Sequence, residues 1–142
     1  MKVSDIMSSH VICVGQDESV GTAARLLKRY NLGVLPVCDG QGRLRGVVTD
    51  RDIVLRCVAL EGDAARLRVS EIMSRGVVTA GQDESMSEVS GRMSARQLRR
   101  IPVTEAGRIV GMVSLCDLAR QPGCRAEAGD TLGAVSANLR TL

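Results

Sequence analysis

At 142 residues, with 44% apolar and 25% charged side chains, the chain has the make-up of an ordinary globular protein with room for one core or two small ones. Its net charge of +3 comes from 19 basic and 16 acidic side chains spread evenly along the sequence, and Tyr30 is the one residue among Phe, Trp and Tyr. That leaves neither a basic face nor an aromatic stacking platform on which to base nucleic-acid binding.

In chain order, VSDIM (3–7) reads as a short helical turn capped by Ser4. VICV (11–14) is an apolar run expected as a strand. GQDES (15–19) supplies a turn and an N-cap serine, Ser19, for a helix with Val20, Ala23, Ala24, Leu27 and Tyr30 on one face. VLPVC (34–38) is a strand whose central Pro36 lacks a ladder donor, which suggests an edge or an interrupted ladder. A glycine-rich turn leads to a third strand, RLRGVVT (43–49), and a closing helix over 51–60.

The pattern is then written again. VSDIMSSHVICVGQDESV (3–20) aligns with VSEIMSRGVVTAGQDESM (69–86), and 14 of 36 positions are identical between 3–38 and 69–104. The second copy brings its own cap serines, Ser70 and Ser85, the strand RIPVT and the closing segment GRIVGMVSLCDL. This gives repeat 1 over 1–60, a connector over 61–68, repeat 2 over 69–121 and an extension over 122–142. In the extension, Pro122 and Gly123 break the preceding helix, and Asp130 is placed to cap a short one through Leu132, Val135 and Leu139. The expected class is α/β (α+β), two β-α-β-β-α repeats.

No apolar run approaches the roughly 18 residues that cross a bilayer, and MKVSDIMSSH lacks a signal-peptide core, so the cytoplasm is the expected location. A Walker A loop, a Cys-His dyad and zinc-ligand spacing are all missing, which argues against an enzyme and against a metal site. One pair of cysteines stands out. Cys13 and Cys38 fall at matching ends of strands one and two, where the second copy has Thr79 and Thr104. If those strands run side by side, the sulfurs come within disulfide range. A redox-responsive structural or interaction protein is therefore the alternative function.

The repeated feature with chemistry in it is a strand-to-helix corner. Thr49 and Asp52 lie three apart in GVVTDRDIV, and Ser114 and Asp117 lie three apart in GMVSLCDLA. One reading is a capping box with Asp in place of the usual Glu. The other is a ligand corner, where a carboxylate accepts from the adjacent hydroxyls of a ribose, a helix start receives phosphate, and an apolar strand flanks the base.

The corner G-x-x-[T/S]-x-x-D, the openings VSDIM and VSEIM, and the strands LPV and IPV together resemble the CBS domain family, named for cystathionine beta-synthase. The resemblance covers residues 3–121 and is of the stand-alone bacterial CBS-pair kind, the tandem arrangement called a Bateman module. It implies two repeats packed through their sheets with pseudo-twofold symmetry. It also implies adenosine-based regulatory ligands (AMP, ADP, ATP, NAD species or S-adenosylmethionine), with no required cofactor. Matching motif positions, Asp52 and Asp117 would hold ribose hydroxyls beside Thr49 and Ser114, while Val11 and Val77, opening the first strands, would touch the base. Arg100 falls where regulatory kinase subunits of the family carry a phosphate-binding arginine; its counterpart is Val34, which implies unequal clefts. A homodimer is implied as well, meeting through the closing helices (Ile53, Val54, Cys57 and Val58; Leu118 and Ala119), with an unidentified protein partner reading the ligand state.

Overall fold

The computed structural model describes residues 1–137 of a mixed α/β chain. The chain divides into two compact units, each with its own apolar core.

One unit, here the Asp52 unit, comprises Ile12–Val77 with Ala106–Ile109. Its three-stranded sheet has the order β1 (Val14–Gly15), β2 (Val34–Cys38), β3 (Leu44–Thr49). β1 runs parallel to β2, and β2 runs antiparallel to β3 with Val34 opposite Thr49. Helix α1 (Val20–Tyr30) starts where Thr22 N–H donates to the Ser19 hydroxyl at 3.1 Å, and ends on left-handed Asn31. It buries Val20, Ala23 and Leu27, whereas Tyr30 turns outward with the Arg29 guanidinium over its ring. β2 is thus a central strand despite Pro36. The ladder to β1 begins only at Val37, so the missing N–H of Pro36 costs no pairing on that side.

The first strand is shorter than VICV suggests, because residues 11–13 have no ladder partner and only Val14–Gly15 pair. The closing helix is interrupted too. α2 (Asp50–Arg56) stops at Cys57, and a 3₁₀ turn follows over Val58–Leu60. α3 (Val69–Ile72) belongs to this unit, with Val69, Ile72 and Met73 in its core beside Leu35, Val37 and Val48.

The other unit, the Asp117 unit, comprises Met1–Val11, Val78–Glu105 and the chain from Val110 onward. It holds α4 (Met86–Arg96), the hairpin β4 (Arg100–Glu105) and β5 (Arg108–Ser114), α5 (Leu115–Ala119) and α6 (Arg125–Val135). Ser85 caps α4 as Ser19 caps α1. The run VVTA contributes a single parallel bridge, Ala80 to Val103. A 3₁₀ turn over Val3–Asp5 puts Val3 into this core with Met93, Ile101 and Leu118.

The opening turns therefore pack with the opposite copy. Val3 and Ser4 N–H donate to the carbonyls of Glu84 and Gln82, and Val69 and Ser70 N–H donate to those of Glu18 and Gln16 (all 2.8–2.9 Å). Neither Ser4 nor Ser70 is a cap. The turns start instead at Lys2 and Arg68, whose N–H groups donate to the carboxylates of Asp5 (2.8 Å) and Glu71 (2.7 Å). In the extension, α6 starts at Arg125, directly after Cys124, and takes Asp130 onto its exposed face in mid-helix, so Asp130 caps nothing. Ala128, Thr131 and Val135 turn inward, Leu132 outward, and Leu139 lies outside the described residues. Helix α6 covers α4 and α5, and the Ser90 hydroxyl donates to Glu127 Oε1 at 2.7 Å.

Candidate functional site

Each unit carries one strand-to-helix corner, built the same way. β3 ends on Thr49 in extended conformation, and α2 begins one residue later. Asp52 N–H donates to Thr49 Oγ1 (3.0 Å) and Thr49 N–H donates to Asp52 Oδ2 (3.0 Å). β5 ends on Ser114 in the same way. There Asp117 N–H donates to Ser114 Oγ (3.2 Å), Ser114 N–H donates to Asp117 Oδ2 (2.8 Å), and the Ser114 hydroxyl lies 2.9 Å from that same oxygen. The capping reading is therefore correct in both copies. It satisfies N–H groups that a helix start leaves without partners.

Capping does not exhaust the carboxylates. In each, Oδ2 faces the cap, while Oδ1 meets only a long ion pair: Arg56 at 3.7 Å from Asp52 and Arg120 at 3.6 Å from Asp117. A carboxylate oxygen has two acceptor sites. Each Oδ1 can therefore take a ligand hydroxyl without dismantling the helix start. Both carboxylates are largely sheltered, with side chains 12% and 20% exposed.

The glycine of the motif has a separate job. Val47 N–H donates to Ser74 O (3.0 Å) and Ser74 N–H returns to Val47 O (2.8 Å), so the chain leaving α3 crosses directly over β3. A Cβ on Gly46 would stand 2.7 Å from Ser74 O. Ser8 and Met112 exchange the same two bonds in the other unit, and a Cβ on Gly111 would stand 2.9 Å from Ser8 O. This role was not read from the sequence, although the glycine stood in the motif at both places.

The other expected site residues are placed unevenly. Asp50 N–H donates to Gly33 O (3.2 Å), which brings Val34 to the Thr49 corner, and Leu115 N–H donates to Arg99 O (2.9 Å), which brings Arg100 to the Ser114 corner. Arg100 is exposed; Val34 is half-buried. Val11 and Val77 open no strand, since both lie in irregular backbone. Val11 belongs to the unit of Ser114 and Asp117, and Val77 to that of Thr49 and Asp52, so Val11 and Asp52 do not share a unit.

Arg56 escaped the sequence reading. Besides facing Asp52, its Nη1 donates to Ile72 O (2.9 Å) and lies 3.3 Å from Met73 O, tying α2 to the end of α3. The available signal was the i,i+4 spacing of Asp52 and Arg56. Away from both corners, a hollow of about 390 Å³ is lined by Gly81, Gln82, Asp83, Glu84, Thr104 and Glu105. Its acidic lining is a poor match for a phosphate-bearing ligand, and the Arg92 guanidinium beside Glu84 holds that carboxyl below its ordinary range and charged. Among the described residues, no group of three His, Cys, Asp or Glu side chains is placed to hold a metal ion, and no helix is long and apolar enough to cross a membrane.

The CBS domain family matches residues 3–58 and 69–122, which contain both corners. The chain belongs to the CBS domain family. As a CBS pair it is 37% identical over 134 residues to the CBS domain-containing protein YhcV of Bacillus subtilis, covering 94% of each chain. It is 35% identical over 116 residues to Hypoxic response protein 1 of Mycobacterium tuberculosis, covering 82% of this chain and 81% of that one. Among solved structures, Hypoxic Response Protein I with two coordinated zinc ions superposes with a TM-score of 0.79 at 34% identity, covering 85% of this chain and 98% of that one. The CBS domain pair of protein MJ0100, in complex with 5'-methylthioadenosine and S-adenosyl-L-methionine, gives 0.74 at 33% identity, covering 84% and 94%.

Proposed function

We propose that this CBS pair is a regulatory module that binds an adenosine-based ligand at its strand-to-helix corners and passes the ligand state to a protein partner. One observation carries the reading: in both copies the corner aspartate keeps Oδ1 on a long ion pair while Oδ2 serves the cap. The bound adenosyl compounds of the MJ0100 pair support the same ligand class. Asp52 and Asp117 accept from ribose hydroxyls, with Thr49 and Ser114 fixing the carboxylates, and Val11 and Val77 flank the base. Arg100 offers a guanidinium fork to phosphate, and Val34 offers none. The corners therefore differ in their preference for phosphorylated ligands. Calorimetry with AMP, ADP, ATP, NAD, 5'-methylthioadenosine and S-adenosylmethionine tests this. Saturable binding of at least one of them is expected, with Arg100→Ala weakening the phosphorylated ligands more than adenosine. Absence of heat with the whole panel overturns the reading.

The working unit under this proposal is a homodimer. Val54, Leu55, Val58 and Leu60 are exposed on α2 and the turn after it, at 54%, 46%, 64% and 73%. Of the stripe expected from sequence, Cys57 and Leu118 are fully buried and so are unavailable to a partner. Ile53 and Ala119 are partly buried against the cores of their own units, so Val54 and Val58 remain exposed, joined by Leu55 and Leu60. Val58→Asp is expected to convert the dimer to monomer, since it puts an unpaired charge into the interface. Sedimentation equilibrium giving a wild-type monomer at high micromolar concentration, with and without ligand, counts against the dimer.

A further inference from the structure

We propose that Cys13 and Cys38 form a thiol/disulfide site, in which Cys13 reduces a hydroperoxide and Cys38 resolves the sulfenic acid that results. The inference is independent of nucleotide binding. It starts from the parallel pairing of β1 with β2, which sets Val14 against Val37 and Gly15 against Cys38, with Gln16 N–H donating to Cys38 O at 3.1 Å. Carried one residue back, that register sets Cys13 beside Pro36, a diagonal neighbour of Cys38 on the same face of the sheet, and the two thiols are close enough to share a hydrogen bond. Both are free thiols. Cys13 is half-buried and Cys38 is buried, so a small oxidant in solution reaches Cys13 first.

The two sulfurs are electronically unlike. The bond with Cys38 holds the Cys13 thiol below its ordinary range, against an opposing push from burial. Cys38 is raised, first by its hydrogen bond with Cys13, then by burial and by the negative charges of the Cys13 thiolate and Asp39. Asp39 stays ionised next to it, accepting N–H bonds from Gln41 and Arg43 and pairing with Arg45 at 2.9 Å. A thiolate reacts and a thiol waits. The Asp117 unit has Thr79 and Thr104 at the matching positions, so the chemistry belongs to one unit alone.

In the first step the Cys13 thiolate attacks the terminal oxygen of a hydroperoxide. An S–O bond forms, the O–O bond breaks, and the departing alkoxide takes a proton and leaves as alcohol, or as water from hydrogen peroxide. In the second step Cys38 sulfur attacks Cys13 sulfur, the S–O bond breaks, and hydroxide leaves as water with the Cys38 proton. Two thiols lose two electrons in total, and the peroxide gains them.

The test is hydrogen peroxide added to the full chain, followed by alkylation and peptide mapping without reductant. The expected result is loss of two of the five alkylatable thiols, with one cross-linked peptide pair joining Cys13 to Cys38. In Cys38→Ser, the sulfenic acid accumulates on Cys13 and is trapped by dimedone; in Cys13→Ser, Cys38 stays reduced. Should Cys38→Ser fail to fold, the wild-type map decides alone. Cys13 and Cys38 both alkylatable after peroxide has been consumed, or a cross-link from either to Cys57, Cys116 or Cys124, overturns the proposal.

Discussion

Gly46→Ala and Gly111→Ala are each expected to destabilise the protein by about 1–3 kcal/mol, the usual cost of forcing an extra methyl into a packed region. At a few degrees per kcal/mol for a chain of this size, each lowers the melting temperature by roughly 4–10 °C. The reason is a backbone collision. The added Cβ would stand 2.7 Å from Ser74 O at one corner and 2.9 Å from Ser8 O at the other, and those carbonyls are held by the bonds they accept from Val47 and Met112. A flexible side chain gives way, but a paired carbonyl does not. Gly91→Ala is the control: it lies exposed within α4 with nothing within 4 Å of an added Cβ. It is expected to stabilise by about 0.4–1 kcal/mol through the unfolded chain. Thermal unfolding in which Gly46→Ala and Gly91→Ala move the midpoint alike would show that the crossing of Ser74 over β3 is not tight.

Those same glycines mark where sequence reading succeeds and where it stops. Ser19 and Ser85 were legible as caps because capping chemistry acts within three residues, and so was the reciprocal Thr49–Asp52 and Ser114–Asp117 box. The opening turns were legible as helical turns but not in their partners. Ser4 looked like a cap because serine favours caps. The carboxylates of Asp5 and Glu71 took the role instead, since the turns begin two residues earlier, at Lys2 and Arg68. Which copy each turn packs against is a long-range choice, visible only in bonds such as Val3 to Glu84 and Val69 to Glu18. Asp130 failed as a cap for a related reason: α6 begins earlier, at Arg125, because Ala128, Thr131 and Val135 have α4 and α5 to pack against. Apolar tertiary contact outweighed local cap preference there.

Asp52→Ala and Asp117→Ala are expected to weaken adenosyl-ligand binding at their own corners by roughly ten- to a hundredfold, the equivalent of losing a hydrogen bond to a charged group at about 1.5–3 kcal/mol. Alanine also removes the acceptor for Thr49 or Ser114 N–H, so each variant loses about 1 kcal/mol of stability from the helix start. Affinity and folding are therefore entangled in the alanine variants. Asparagine separates them. Its amide oxygen accepts the same backbone N–H and keeps the cap, while the negative charge proposed to face the ribose hydroxyls is gone. Asp52→Asn and Asp117→Asn should thus melt close to wild type and yet bind less tightly. Asp117 makes the sharper case, because the Ser114 N–H and hydroxyl both approach its Oδ2, at 2.8 and 2.9 Å, leaving Oδ1 for the proposed ligand. Ligand must also outcompete Arg120 for that oxygen, and at 3.6 Å with a guanidinium side chain 76% exposed this pair offers little resistance. Calorimetry in which both asparagine variants bind the adenosyl ligand as tightly as wild type would reduce the repeated corner to a helix cap and move the ligand elsewhere on the protein.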